Sequence, residues 1–275
     1  MVRVVAINLY PVKSTRARAV DRARVEWWGL AGDRRWAVVT PEGEPITARQ
    51  CRTLFTVTAS VTPDGGLLLT APGAPDLAVA LPEPAHTVPV GFVNLDRAAP
   101  GGDAADAWLT TTLGRPARLV WLADTTARAV PEGVGGLPGD VFHFGDTVPV
   151  HLVSLGSLRR LDDWIAETAI ERGEELPEPQ EVGRFRPNVV IDGAPAFAED
   201  EWKRLRVGAV DFRVAGPCGR CVMTTIDPES RESGKEPIRT LARHRRWHGW
   251  AWFGIQLVPE TLGDITVGDP VEALA

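Results

Sequence analysis

Cys218 and Cys221 stand in a C-x-x-C step, Pro217-Cys218-Gly219-Arg220-Cys221, and thiols so spaced admit four readings. A disulfide-exchanging pair needs a helix N-terminus, whose dipole lowers the thiol pKa. The residues that follow, Val222-Met223-Thr224-Thr225-Ile226-Asp227-Pro228, are β-prone and end in a proline turn, so that helix is not expected. A zinc site would add His244 and His248, an H-x-x-x-H. Yet 22 residues lie between Cys221 and His244, more than the roughly 12–15 of a finger. A β-rich chain of this size also needs no metal to fold. A third reading makes one thiolate the ligand of a soft or redox-active metal; Arg220, beside Cys221, favours the ionised thiol. In the fourth, the thiols are small buried hydrophobes. The spacing alone does not choose among them.

Cationic and amide-bearing clusters give the wider pattern. Tyr10-Pro11-Val12-Lys13-Ser14 sets a lysine and a hydroxyl just after an expected strand. Gly32-Asp33-Arg34-Arg35-Trp36 brings arginines to the entry of another, Thr47-Ala48-Arg49-Gln50 closes the hairpin after it, and Arg184-Phe185-Arg186-Pro187-Asn188 leads into a strand of the second half. Any one of these reads equally well as a solvated turn. Four at strand ends point to a pocket for a phosphate or a polar heterocycle.

Other chemistries lose their footing. The net charge is −6 over 275 residues, against a general nucleic-acid binder. Residues 239–252, RTLARHRRWHGWAW, mix cations with three tryptophans; that composition suits stacking on bases but equally a rim or a substrate entrance, the reading preferred here. No G-x-G-x-x-G, P-loop or G-x-S-x-G occurs, and His86, His143 and His151 have no nucleophile motif near them. No run of 18 apolar residues is present, and residues 1–14 lack a signal-peptide pattern. With three cysteines, too few for a disulfide scaffold, the expected compartment is the cytoplasm, with no membrane partner.

The elements that must position these groups read as short strands broken by Pro and Gly: residues 4–10, 36–40, 54–61 with a return at 67–69, 119–122, 148–153, 188–191 and 206–214. Residues 71–85 read as a loop with irregular strand. A short helix is expected over 103–113, stopped by Gly114, and a clearer one carries the stripe Leu158, Leu161, Trp164, Ile165, Thr168, with Ser157 as N-cap and Gly173 as stop. The turn-rich 131–140 marks the boundary between halves. The pattern favours barrels or sandwiches over a doubly wound sheet.

The segment Pro217–Pro228, with Lys235-Glu236-Pro237 and Leu241, resembles the signature of the MOSC domain. Residues 10–14, Gly29-Leu30, 33–36 and 47–49 are similar to the N-terminal β-barrel domain that precedes it in many members; residues 184–188 and 267–271 match as well. The resemblance covers nearly the whole chain and is nearest to amidoxime-reducing components. It implies a β-rich α+β fold: a MOSC N-terminal β-barrel domain (1–125) packed on a MOSC β-barrel domain (126–275) with a few peripheral helices. It further implies a molybdenum cofactor (Mo-molybdopterin) whose metal is held by Cys221, the catalytic position. Its phosphate and pterin would be held by Lys13, Ser14, Arg34, Asp146, Thr147, Arg186, Asn188, Gly219 and Arg220, while Cys218 would be structural. The implied activity is reduction of small N-oxygenated compounds such as amidoximes, hydroxylamines and N-hydroxylated bases. The runner-up is a non-catalytic cofactor carrier or sulfur-handling module. Only Cys51 stands outside the motif, so no plant-type iron–sulfur cluster is expected. Electrons would come from separate proteins, a flavin reductase and a small haem or iron–sulfur carrier.

Overall fold

Runs such as Val189–Asp192 and Trp250–Pro259 are apolar almost without interruption. That is the composition of strands covered on both faces. In the computed structural model, which describes residues 1–274, they lie inside a nine-stranded sheet. Its order runs Val271–Leu274, Arg204–Val207, Val210–Arg220, Trp250–Pro259, Val150–Ser154, Val189–Asp192, Arg3–Leu9 and Arg18–Val20, with Arg246–Trp247 paired to Trp250–Pro259. The outer Arg204–Val207 alternates exposed and buried residues, as a strand with one wet face does. Most pairings are antiparallel; Val150–Ser154 and Val189–Asp192 run parallel. Helix α2 (Leu155–Arg172) is the crossover that such a pair requires.

Packing divides the chain into two units whose segments alternate in sequence. One comprises Met1–Asn8, Ala19–Trp27 and Val148–Ala275; the other comprises Leu9–Arg18 and Trp28–Thr147. Strand Arg3–Leu9 pairs with Val189–Asp192, far along the chain. In the first unit α2 buries Leu158, Leu161 and Ile165 against Val153, Phe185, Leu241 and Phe253. Each such side chain contributes about 1.5–3 kcal/mol by leaving water. In the second unit Ala37, Val39, Val90, Ala98, Val120, Leu122 and Phe144 form the core beneath the sheet Trp36–Val39, Arg118–Trp121, Leu95–Pro100, Val88–Phe92. Helix α1 (Asp103–Leu113) ends at a left-handed Gly114 as expected, and Asp106 clamps it by accepting the Leu119 N–H at 2.8 Å. The fold is β-rich with three helices, the third being α3 (Ile238–His244).

Several local expectations are corrected. Residues 54–61 are not one strand: Arg52–Thr56 is a 3-10 turn, closed by the Thr56 hydroxyl on the Thr53 carbonyl, and the strand is only Thr58–Val61. Residues 206–214 are two strands reversing over Gly208 and Ala209, a turn hidden by the apolar run around it. Ser157 is not the cap of α2, which starts after Ser154. Its hydroxyl instead donates to Glu199 Oε1 (2.6 Å) and accepts the Phe197 N–H. Val222–Thr225, read as β-prone, is a single 3-10 turn.

Gly254 interrupts strand Trp250–Pro259 with φ +73, and a Cβ there would lie 2.6 Å from the Leu152 carbonyl oxygen and 2.7 Å from His151 Nε2. Replacing it strains the backbone and forces the neighbouring strand to move. Gly254→Ala is expected to cost about 2 kcal/mol or more, read as a lower urea midpoint. An unchanged midpoint would show that the strand pair yields without cost.

Candidate functional site

In the unit built from residues 9–18 and 28–147, three loops meet on one buried carboxylate. Asp33 is fully buried. Its Oδ1 accepts the Tyr10 N–H at 2.7 Å, and its Oδ2 accepts from Arg34 Nη1 and lies 3.0 Å from His143 Nε2. Gly145 N–H donates to His143 Nδ1 at 2.8 Å, so the ring proton sits on Nε2 and faces Asp33. Burial alone would push the Asp33 carboxyl up; Arg34, His143 and the Tyr10 amide outweigh it and hold it at about 2. Burial also lowers the His143 pKa against the pull of Asp33, which keeps the imidazole neutral.

Around this anchor stands a surplus of positive charge. Lys13 Nζ donates to the Phe144 carbonyl at 2.8 Å and to Asp146 Oδ1. Burial draws the Lys13 pKa below its usual value while Asp146 opposes, with Arg34 and Arg128 adding repulsion. Asp146 is solvent-exposed, and Lys13 holds its carboxyl well below the usual range, with Arg49 and Arg34 assisting. Arg128, buried with its guanidinium 4.0 Å from the Phe142 ring centroid, donates to the His143 and Gly145 carbonyls. Four cations thus act on two carboxylates, a balance suited to a dianionic phosphate. Arg34 lies over the Tyr10 ring at 4.4 Å. Arg35 points elsewhere, donating to the Leu122 carbonyl between Trp28 and Trp121. Ser14 is buried and Thr147 half-buried.

In the other unit, strand Val210–Arg220 delivers the cysteine step. Cys221, half-buried, is the extended residue before the 3-10 turn, and its carbonyl accepts the Thr224 N–H and hydroxyl. Arg220 does not turn to Cys221, as its neighbourhood suggested: its Nη1 lies 2.9 Å from Cys218 Sγ and 3.4 Å from His151 Nε2, and its Nη2 donates to the Phe185 carbonyl at 2.9 Å. Gln256 Nε2 approaches Cys218 Sγ at 3.8 Å. Arg184 pairs with Asp227 at 2.5 Å, and Asp227 accepts the Glu229 and Ser230 N–H groups; this pins the loop after the cysteines to the loop holding Arg186. Asn188 brackets three strands, accepting the His151 N–H at 3.2 Å and donating to the Asn8 carbonyl at 3.1 Å.

Two further facts bear on the chemistry. Seven described non-glycine residues have positive φ, and Ser14 (φ 70), Arg34 (φ 44) and Arg186 (φ 54) are three of them. Such strain costs about 1–3 kcal/mol per residue and gathers where function demands it. Among the described residues no three His, Cys, Asp or Glu side chains gather into an ion cage. The zinc reading is thereby corrected: His244 is stacked on Trp164 at 4.4 Å and His248 occupies a hairpin turn with φ 49. Asp33, Arg128, His143 and His151 were not selected from the sequence. Only Asp33 carried a signal there, as an acid set beside two arginines.

Because the Asp33 carboxyl is held at about 2 against the usual 3.8, the folded state binds its proton more weakly than the unfolded chain. The resulting stability, on the order of 2 kcal/mol, is full above about pH 4 and is lost as pH falls toward 2. Asp33→Asn is expected to destabilise at pH 7, with the gap to wild type closing between pH 4 and pH 2 in urea unfolding. A gap that stays constant over that range would assign the effect to packing rather than charge.

Comparison with known proteins gives a consistent answer. Residues 1–116 match the MOSC N-terminal beta barrel domain and residues 139–272 the MOSC domain. The chain is 33% identical over 292 aligned positions to mitochondrial amidoxime-reducing component 1 of Homo sapiens, covering 98% of this chain and 82% of that protein. It is 32% identical to the Xenopus laevis protein of the same name, covering 96% and 79%. It is also 29% identical to the molybdenum cofactor sulfurase of Oryza sativa subsp. japonica, covering 92% of this chain but 32% of that longer protein. Two successive domain matches and a relative aligned over nearly the whole of this chain place it in the MOSC family, as a MOSC domain preceded by its N-terminal beta barrel domain.

Proposed function

We propose that this protein is a molybdenum-cofactor oxidoreductase that reduces small N-hydroxylated compounds, with Cys221 as the one protein ligand to the metal. The observation that carries the reading is a half-exposed thiol at a strand end in a chain whose described residues gather no ion cage. A metal held there must bring most of its own ligands, as one carried on a dithiolene does, and a single thiolate completes such a set. The names of the relatives, amidoxime-reducing component and molybdenum cofactor sulfurase, support the same class. Lys13, Ser14 and Arg34, with Asp146 and Thr147, would bind the phosphate and pterin in their unit; Arg186, Gly219 and Arg220, with Asn188 fixing their strand ends, would do so in the other.

When bound, the cofactor supplies a two-electron reduction of the N–O group, R–NHOH + 2 e⁻ + 2 H⁺ giving R–NH₂ and water. The chain's own part is to bind and orient. Lys13 and Arg34 neutralise an anion without flexing, because both are already tethered to carboxylates. Arg220, held by Cys218 and the Phe185 carbonyl, fixes the backbone on the N-terminal side of Cys221. Electrons would come from separate carrier proteins.

Molybdenum and pterin analysis of protein made in a host that assembles the cofactor tests the reading, with reduced viologen as an artificial donor. Wild type is expected to hold near-stoichiometric molybdenum and to reduce N-hydroxylated substrates. Cys221→Ser should lose both metal and activity while keeping the fold, and Cys218→Ser should keep most of the activity. Cofactor bound without turnover would favour a carrier, and full activity in Cys221→Ser would exclude the assignment.

A further inference from the structure

The tryptophan-rich segment has no part in the cofactor contacts above, yet its register brings it to the cysteine step. Strand Val210–Arg220 pairs with Trp250–Pro259 so that Gly219 faces Trp252 and Arg220 faces Ala251. Cys221, the next residue, is extended, with φ −118 and ψ 177. Residues opposite one another in an antiparallel pair share a face. Gly219 and Trp252 therefore share one side of the sheet, with Trp250 two residues along the same strand on that side, and Arg220 lies on the other. Contacts agree: a Cβ built on Gly219 would lie 3.4 Å from Trp250 Cε3 and 3.5 Å from Trp252 Cζ3, so both indoles rest against the backbone between the two cysteines.

The two indoles are held differently. Trp252 donates its Nε1–H to the Trp247 carbonyl at 2.9 Å and stacks on the Trp247 ring at 5.8 Å. Trp250 sits at the tip of the hairpin, across from Trp247, and is 54% exposed. Among the described residues no second ring and no cation covers it. Val222, directly after Cys221, is also exposed. The backbone between the two cysteines thus carries an open aromatic face, with an aliphatic edge at Val222. Such a face holds flat aromatic groups by stacking.

Resting on the reading of Cys221 as metal ligand, we infer that Trp250 is a specificity-determining residue. It selects substrates whose N–O group is borne on an aromatic ring over those on a bare alkyl chain. Calorimetric titration of the purified protein with benzamidine and with acetamidine reads this without turnover, because the two share the amidinium and differ in the ring. Wild type should prefer benzamidine. Trp250→Ala should weaken benzamidine roughly tenfold and leave acetamidine unchanged, and Trp250→Phe should keep most of the preference. Equal binding of both probes by wild type, or an unchanged preference in Trp250→Ala, would overturn the inference. The outcomes separate it from the parent proposal. Ring preference lost in Trp250→Ala in a protein that reduces nothing would remove the reductase and keep the aromatic wall. Reduction with the same KM ratio for aryl and alkyl substrates in wild type and Trp250→Ala would keep the reductase and remove the wall.

Discussion

A carboxylate with no access to water is costly unless it is hydrogen-bonded and its charge is met, and Asp33 meets both conditions at once. Its partners come from three places in the chain: the Tyr10 amide, the adjacent Arg34 and the remote His143. Satisfying that one group therefore fixes where the first loop, the arginine turn and the segment before Asp146 lie relative to each other. Lys13 follows, because its ammonium reaches the Phe144 carbonyl one residue beyond His143. The clustering of cations in this unit is a consequence of the anchor as much as of the cations themselves.

The first unit solves a similar problem with hydrogen-bonded backbone. Asn188 joins strands on either side of it, and Arg220 gathers Cys218, His151 and the Phe185 carbonyl. Both devices lie at strand ends, where the sheet ladder no longer supplies partners and side chains must do so. The left-handed backbone at Ser14, Arg34 and Arg186 belongs to the same logic. A residue other than glycine stays in that region only when its surroundings determine its place more strongly than its own preference does.

Much of this was legible from residue order. The β-rich class, helix α1 to the residue, the α2 stripe and the family itself all follow from local pattern and short motifs. What stayed hidden depends on closure across long separations. His143 meets Asp33 only after the chain has crossed most of a unit, and Arg128 looked like any loop arginine until Phe142 and the carbonyls of residues 143 and 145 closed around it. The extended reading of 54–56 failed because Thr56 closes a turn on its own backbone, a contest between local bonding and strand pairing that alternation cannot record. Arg220 was misdirected for a related reason: sequence adjacency put it beside Cys221, whereas strand geometry turned it to the other face, with Cys218.

The interleaving of segments has a consequence for how the protein is made. The Asn8 N–H donates to the Asn188 carbonyl and the Asn188 side chain donates back to the Asn8 carbonyl, although 180 residues separate them. At ribosomal speeds of about 5–20 residues per second, the first strand emerges roughly 10–40 s before the strand that pairs with it. Through that interval Arg3–Leu9, whose Val4 and Ile7 are buried in the finished sheet, lacks the mate for one of its two ladder edges. The other unit, whose main segment is continuous from Trp28 to Thr147, can close meanwhile. Synthesis thus imposes an order in which the unit built around Asp33 closes first and the unit carrying Cys218 and Cys221 last. A nascent chain is exposed to mispairing chiefly through its opening strand.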